Sequence, residues 1–151
     1  MAAALTLKDI QEEWEKDSQI ASRLDLSAAS AEIPIIHSKY MGYSLTYRGV
    51  LRRNEKKLRE LISIKTDYYY GRLDQNDLKE YGWNQYQGPT PTKTLLKELL
   101  ERDFDIIDQE SRVSECEYAF EFIKEIIKCI NNLNWTIRNS IEWKKFENGI
   151  N

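Results

Sequence analysis

Residues 30–70 form a stretch in which apolar side chains recur at helical spacing, with Pro34 near its start and Gly71 directly after Tyr68-Tyr69-Tyr70. Proline is tolerated in a first helical turn, where its missing N–H has no partner to lose, and glycine is the usual stop. The pattern predicts one long helix from about residue 30 to 70, with Pro34 in its first turn. Gly42 and Gly49 each cost up to ~1 kcal/mol against alanine and mark a bend or a close contact. At 1.5 Å per residue such a helix is about 60 Å long. A small core cannot cover that length, so the helix needs a partner.

Composition sharpens the point. The 151 residues are 41% hydrophobic and 31% charged, with a mean hydropathy of -0.65. That is one domain's worth of chain with a thin core, which fits extended helices packed on each other or on further copies. No apolar run approaches the ~18 residues that span a bilayer, and the start lacks the pattern of a signal peptide. Cys116 and Cys129 make no disulfide framework; on one helix they sit roughly 20 Å apart, beyond bridging distance. The expectation is a soluble, intracellular, reduced protein with no membrane association.

Thr6 and Asp9 read as a capping box, with Leu5 and Ile10 in the staple positions, opening a short amphipathic helix that ends near Asp17-Ser18. Residues 73–92 hold Gly82, Gly88, Pro89 and Pro91 beside Trp83 and read as the main loop. Helical periodicity returns at Leu95, Leu96, Leu99 and Leu100, continues through Phe104, Ile106 and Ile107, and is strongest over 113–133. There Phe120, Ile123, Ile126, Ile127 and Ile130 form a stripe. Asn131, Asn132 and Asn134 predict a turn, followed by a final short helix carrying Trp135, Ile137, Ile141 and Phe146. No repeat and no alternating strand pattern is present. The fold class is all-α, a single domain with amino-terminal helices over 1–72, a loop over 73–92 and a carboxy-terminal helical region over 93–151.

The charge is strongly segregated. Residues 1–34 carry three basic and seven acidic side chains, a net of −4; residues 35–72 carry nine and three, a net of +6. Residues 73–118 carry five and eleven, a net of −6, and the remainder nets +1. A +6 block in a chain of net charge -3 is a directed electrostatic feature. On a helix, Arg48, Arg52, Lys56 and Arg59 fall within about 80° of arc, flanked by Arg53 and Lys57. Tyr47, Leu51, Leu58, Ile62 and Tyr69 make an apolar stripe on another face. Cations along a rod with aromatics at its end suit single-stranded nucleic acid: cations neutralise phosphates, and tyrosine faces stack bases without regard to sequence. The bland counterpart is a solvated, salt-bridged helix face with packing tyrosines. Lys65 stands apart, on the apolar side of the helix. A cation there must snorkel, pair, or face solvent enclosed by an assembly.

Catalytic and metal chemistry find little support. His37 has no cysteine or second histidine in register. Asp103, Asp105, Asp108 and Glu110 invite comparison with a two-metal nuclease, but at helical spacing Asp103 and Asp105 point apart. There is no Gly-rich phosphate loop and no nucleophile elbow, and no cofactor is expected. The carboxy-terminal stripe reads either as intrachain core or as a subunit interface, and Trp135 and Trp143 are of a type enriched at interface centres.

Asp9-Ile10-Gln11-Glu12-Glu13 with Lys16-Asp17, then Ser38-Lys39, then Asp67-Tyr68-Tyr69 with Gly71-Arg72, and finally Ile137-Arg138 and Lys145-Phe146-Glu147 with Gly149 resemble, in order and spacing, the UvsY family of recombination mediators of T4-like bacteriophages. The resemblance covers most of the chain. It implies a helical, non-enzymatic protein in the cytoplasm of an infected bacterial host, assembling as a ring of six or seven subunits, with seven favoured. It implies non-specific binding of single-stranded DNA and the loading of a RecA-like phage recombinase onto DNA covered by the phage single-stranded-DNA-binding protein. Lys65 matches one family basic position upstream of Asp-Tyr-Tyr, whereas Ser63 stands at another. Strip and resemblance together give a candidate DNA-binding set of Arg48, Arg52, Arg53, Lys56, Lys57, Arg59, Lys65, Tyr68, Tyr69 and Arg72. The family's carboxy-terminal assembly implies an oligomerisation set of Phe120, Ile123, Ile126, Ile127, Ile130, Trp135, Ile141 and Phe146. A helical scaffold with no nucleic-acid role is the alternative.

Overall fold

The computed structural model describes residues 5–23 and 25–149. Six helices follow one another: α1 (Leu7–Asp17), α2 (Ile20–Arg23), α3 (Leu26–Tyr69), α4 (Gln75–Tyr81), α5 (Lys93–Glu101) and α6 (Phe104–Glu147). The described residues contain no strand, so the all-α expectation holds. The chain divides into two compact units, Met1–Arg48 with Tyr118–Asn151, and Gly49–Glu117. The two 44-residue helices α3 and α6 contribute to both.

Local signals set the helix ends. The Thr6 side chain accepts from the Asp9 amide while the Asp9 carboxylate accepts from the Thr6 amide, so α1 opens on the expected capping box. At the other end of α3, the Gly71 amide donates to the Tyr68 carbonyl and the Arg72 amide to the Asp67 carbonyl. This is the 5→2 and 6→1 pair of a Schellman turn, with Gly71 at φ 72.

Three expectations need correction. First, α3 begins at Leu26, not near residue 30, because the Asp25 carboxylate accepts from the Ala28 amide and caps it. Pro34 therefore lies inside the helix, about two turns in, at an exposed position. Second, residues 73–92 are not all loop, since they contain α4. Asp74 and Asp77 form its capping box and Gly82, at φ 71, ends it. Third, no turn interrupts α6 at the asparagines. Asparagine costs roughly 0.7 kcal/mol against alanine in a helix, about 2 kcal/mol for three. Ile130 and Ile137, both 1% exposed, lie on either side of that stretch, and burying each is worth about 1.5–3 kcal/mol. With Leu133 and Ile141 they keep one continuous apolar stripe, and packing outweighs propensity.

In the first unit, Ile10 of α1 and Ile20 of α2 meet Ala29, Ile33, Ile36 and Tyr40 of α3 and Ile123, Ile126, Ile130 and Ile137 of α6. The i, i+3/i+4 spacing of these residues is the helical pattern seen in the sequence. Polar contacts fix α1 on α3. Lys39 Nζ lies 3.1 Å from Glu13 and 2.5 Å from Asp17, and the Tyr40 and Tyr43 hydroxyls donate to Asp17 and Glu13. Burial depresses the Lys39 pKa, but the hydrogen bonds to Asp17 and Glu13 outweigh it and raise it above the ordinary value.

Candidate nucleic-acid interface

Arg52, Arg53, Lys56, Lys57 and Arg59 are all exposed on α3 in the second unit. Lys56 makes a loose pair with Glu60 at 3.7 Å, and none of the other four has an ion pair among the described residues. A solvated, salt-bridged face would spread its cations over neighbouring carboxylates. This face leaves them uncompensated. Arg48, one turn earlier on the same helix and in the first unit, is exposed as well. Arg72 is exposed just past the end of α3, with its Nη1 3.3 Å from Asp67.

Lys65 is placed differently from the strip. Its side chain is only 6% exposed, and Nζ sits 2.7 Å from Asp105 and 3.1 Å from Asp103. The ammonium also lies 3.9 Å from the Trp83 ring centroid. Of the three outcomes open to a cation on the apolar side, pairing is the one realised. Asp103 is the hub of this cluster. One carboxylate oxygen accepts from the Tyr69 hydroxyl at 2.7 Å and from Lys65. The other accepts from the Asp105 and Ile106 amides and so caps the start of α6. That cap ends the continuous periodicity expected from Leu95 through Ile107, separating α5 from α6.

Tyr68 and Tyr69 are likewise drawn into the unit. The Tyr68 hydroxyl donates to the Asn84 carbonyl at 2.6 Å, and both rings pack edge-on against Trp83 or Tyr86. Lys65 is buried and Tyr68 and Tyr69 are half-buried, so the three fasten the unit together and do not stand open beside the strip. Sequence reasoning missed Asp103 and Trp83 as their partners. An aspartate directly before an apolar helical run was the available sign of a cap; nothing local paired it with Lys65.

Of the carboxylates weighed as a metal cluster, Asp103 and Asp105 hold Lys65, and Asp108 pairs with Arg112 at 3.1 Å. The oligomerisation set also divides. Ile123, Ile126 and Ile130 are within 2% of full burial in the intrachain core, so they are not available to a neighbouring subunit. Phe120, Ile127 and Ile141 are half-buried. Trp135 and Phe146, at 68% and 69% exposure, remain open on α6, as does Trp143, whose ring lies 5.6 Å from that of Phe146.

Burial pushes the Asp103 carboxyl up, and the hydrogen bonds from Tyr69, Lys65 and the Ile106 amide outweigh it, so its pKa falls below the ordinary 3.8. A group depressed on folding stabilises the fold fully above its unfolded pKa, and the gain is lost as pH falls through the folded value. The stability difference between the parent and Asp103→Asn is therefore expected to be constant at neutral pH and to shrink below about pH 4. Urea unfolding at pH 7, 5, 4 and 3 measures it. A gap that persists unchanged at pH 3 would contradict the ion-paired hub.

Comparisons with known proteins bear on the fold and on the family. The chain is 23% identical over 145 residues to the recombination protein uvsY of Enterobacteria phage T4, covering 96% of this chain and 99% of that relative. A crystal structure of the bacteriophage T4 recombination mediator protein UvsY superposes with a TM-score of 0.80 at 22% identity, covering 95% of this chain and 98% of that one. A second lattice form gives 0.79 at 20% identity over 94% and 99%. The model of the family described as "Recombination, repair and ssDNA binding protein UvsY" matches residues 13–150, and on that match the chain belongs to the UvsY family.

Proposed function

We propose that this chain is a recombination mediator. It binds single-stranded DNA without sequence preference and promotes loading of a RecA-like recombinase onto DNA covered by a single-stranded-DNA-binding protein, in the cytoplasm of the infected host. The observation that carries the reading is the row of exposed cations at Arg52, Arg53, Lys56, Lys57 and Arg59, with one loose ion pair among them, in a chain of net charge -3 from this family. Arg72 lies past the end of α3 in the same unit. Phosphates along a strand replace the missing carboxylates, and release of their counterions drives binding. Contacts of this kind go to phosphates, which carry no base identity. The mechanism is electrostatic and mechanical and needs no catalytic group.

The working unit is a ring of six or seven copies of one domain, assembled through the open aromatics Trp135, Trp143 and Phe146 with Phe120, Ile127 and Ile141 at their margins. Several copies of a weak strip then act on one strand, and effective concentration raises the joint affinity well above that of a single site. Light scattering on the purified protein, with and without a fluorescent oligo-dT strand at low and high salt, tests both parts. The expected result is a large assembly that holds the strand at low salt and releases it at high salt. An assembly indifferent to the strand would instead favour a helical scaffold, and a monomer would overturn the ring.

A further inference from the structure

The tyrosine that faces the same way as the cationic strip is neither of those held in the unit. Tyr70 follows the last helical residue of α3, yet its amide still donates to the Thr66 carbonyl at 3.1 Å, so its Cα stays on the helical screw. Arg52 and Tyr70 are eighteen residues apart, which is about five turns and brings them into line; Arg59 lies within about 20° of that line. Tyr68 and Tyr69 are rotated from it by about 160° and 100°. Their hydroxyls are occupied by Asn84 and Asp103, whereas the Tyr70 hydroxyl has no hydrogen bond among the described residues. Between Arg59 and Tyr70 the line carries Ser63, exposed, and Thr66, half-buried, both short and uncharged.

Tyr70 is also equipped. The Arg72 guanidinium carbon lies 4.8 Å from its ring centroid, and Asp67 holds the same guanidinium at 3.3 Å. The left-handed Gly71, at φ 72, turns the chain so that Arg72 comes back over the ring. We propose that Tyr70, paired with Arg72, is the base-stacking platform at the end of the cationic strip. This rests on the strip being the single-strand site. An aromatic face beside a fixed cation takes an unpaired base and its phosphate together, tolerating any sequence because every base has a π-face. A duplex, whose bases are already stacked, gains only the charge.

Tyr70→Ala, Tyr70→Phe and the double variant Arg52→Ala/Arg59→Ala, titrated with fluorescent oligo-dT at several salt concentrations, test it. An oligonucleotide carrying 5-iododeoxyuridine, photo-cross-linked to the unaltered protein, adds a direct readout. Tyr70→Ala is expected to weaken binding roughly 5- to 150-fold at every salt, the range of one lost base stack, with the slope of affinity against salt unchanged. Tyr70→Phe should stay within about twofold, and the cross-link should map to Tyr70. The arginine pair should lower both affinity and slope. A Tyr70→Ala variant that binds like the parent while the arginine pair fails, or a cross-link at Tyr68 or Trp83, overturns the platform and leaves the strip standing. If the arginine pair also binds like the parent, the strip itself falls.

Discussion

Lys65→Met is expected to cost about 3–5 kcal/mol of folding stability, the range for removing one partner of a buried ion pair. In a chain of this size that lowers Tm by roughly 6–20 °C. Methionine fills the stem of the lysine, so the loss comes from Asp103, whose side chain is only 4% exposed and would hold its charge without the ammonium. Tyr69 and two amides still donate to it, which places the effect toward the lower end. Asp105, 54% exposed, regains water and adds little. Urea unfolding of Lys65→Met, Asp103→Asn and the double variant provides the check. The double variant should be destabilised by less than the sum of the singles, because removing both charges removes the uncompensated one. A rival account, in which Lys65 contacts DNA directly, predicts near-parental stability with weakened oligo-dT binding. The two outcomes cannot be confused when binding is measured well below Tm.

What the sequence made readable follows from how local each signal is. Thr6 with Asp9, and Gly71 after Tyr70, decide helix ends within four or five residues, and both ends were legible. The amphipathic stripe through Ile123, Ile126 and Ile130 was legible as a face, but a periodic face does not say what covers it; here Ile10, Ile33 and Tyr40 of the same chain do. Asn131, Asn132 and Asn134 misled because propensity is a small term beside the burial of Ile130 and Ile137. At α4 the Asp74–Asp77 cap and Gly82 stop were present in the sequence, hidden among Gly88, Pro89 and Pro91. Lys65 was recognisable as anomalous from its position alone. Its partners at 83, 103 and 105 were not, since that pairing is set by tertiary packing. The family resemblance placed Lys65 with the basic residues upstream of Asp-Tyr-Tyr; burial separates it from the exposed cations.

Reversing Arg52, Lys56 and Arg59 together to glutamate is expected to abolish oligo-dT binding at physiological salt. The exchange turns three attractive charges into three repulsive ones; of the three residues, Lys56 alone has an ion pair among the described residues. Neutralising the same three to alanine is the graded version. Each lost phosphate contact removes about 0.7 from the slope of log affinity against log salt on a single strand, so one subunit's three contacts remove about 2. At low salt, where screening is weakest, the affinity of the alanine variant should fall about 10²–10³-fold. All three side chains are exposed, so folding stability should move by no more than about 0.5 kcal/mol per substitution. Oligomeric state discriminates between the two readings. If the cations serve DNA, the glutamate variant keeps its assembly and loses the strand. If they pair with acidic faces of neighbouring copies, such as the stretch at 73–118, the assembly itself breaks and adding salt to the parent protein breaks it too. Light scattering on the variant and on the parent across a salt series separates these outcomes, and an intact assembly that still binds oligo-dT with the parental salt slope would place the DNA on another face altogether.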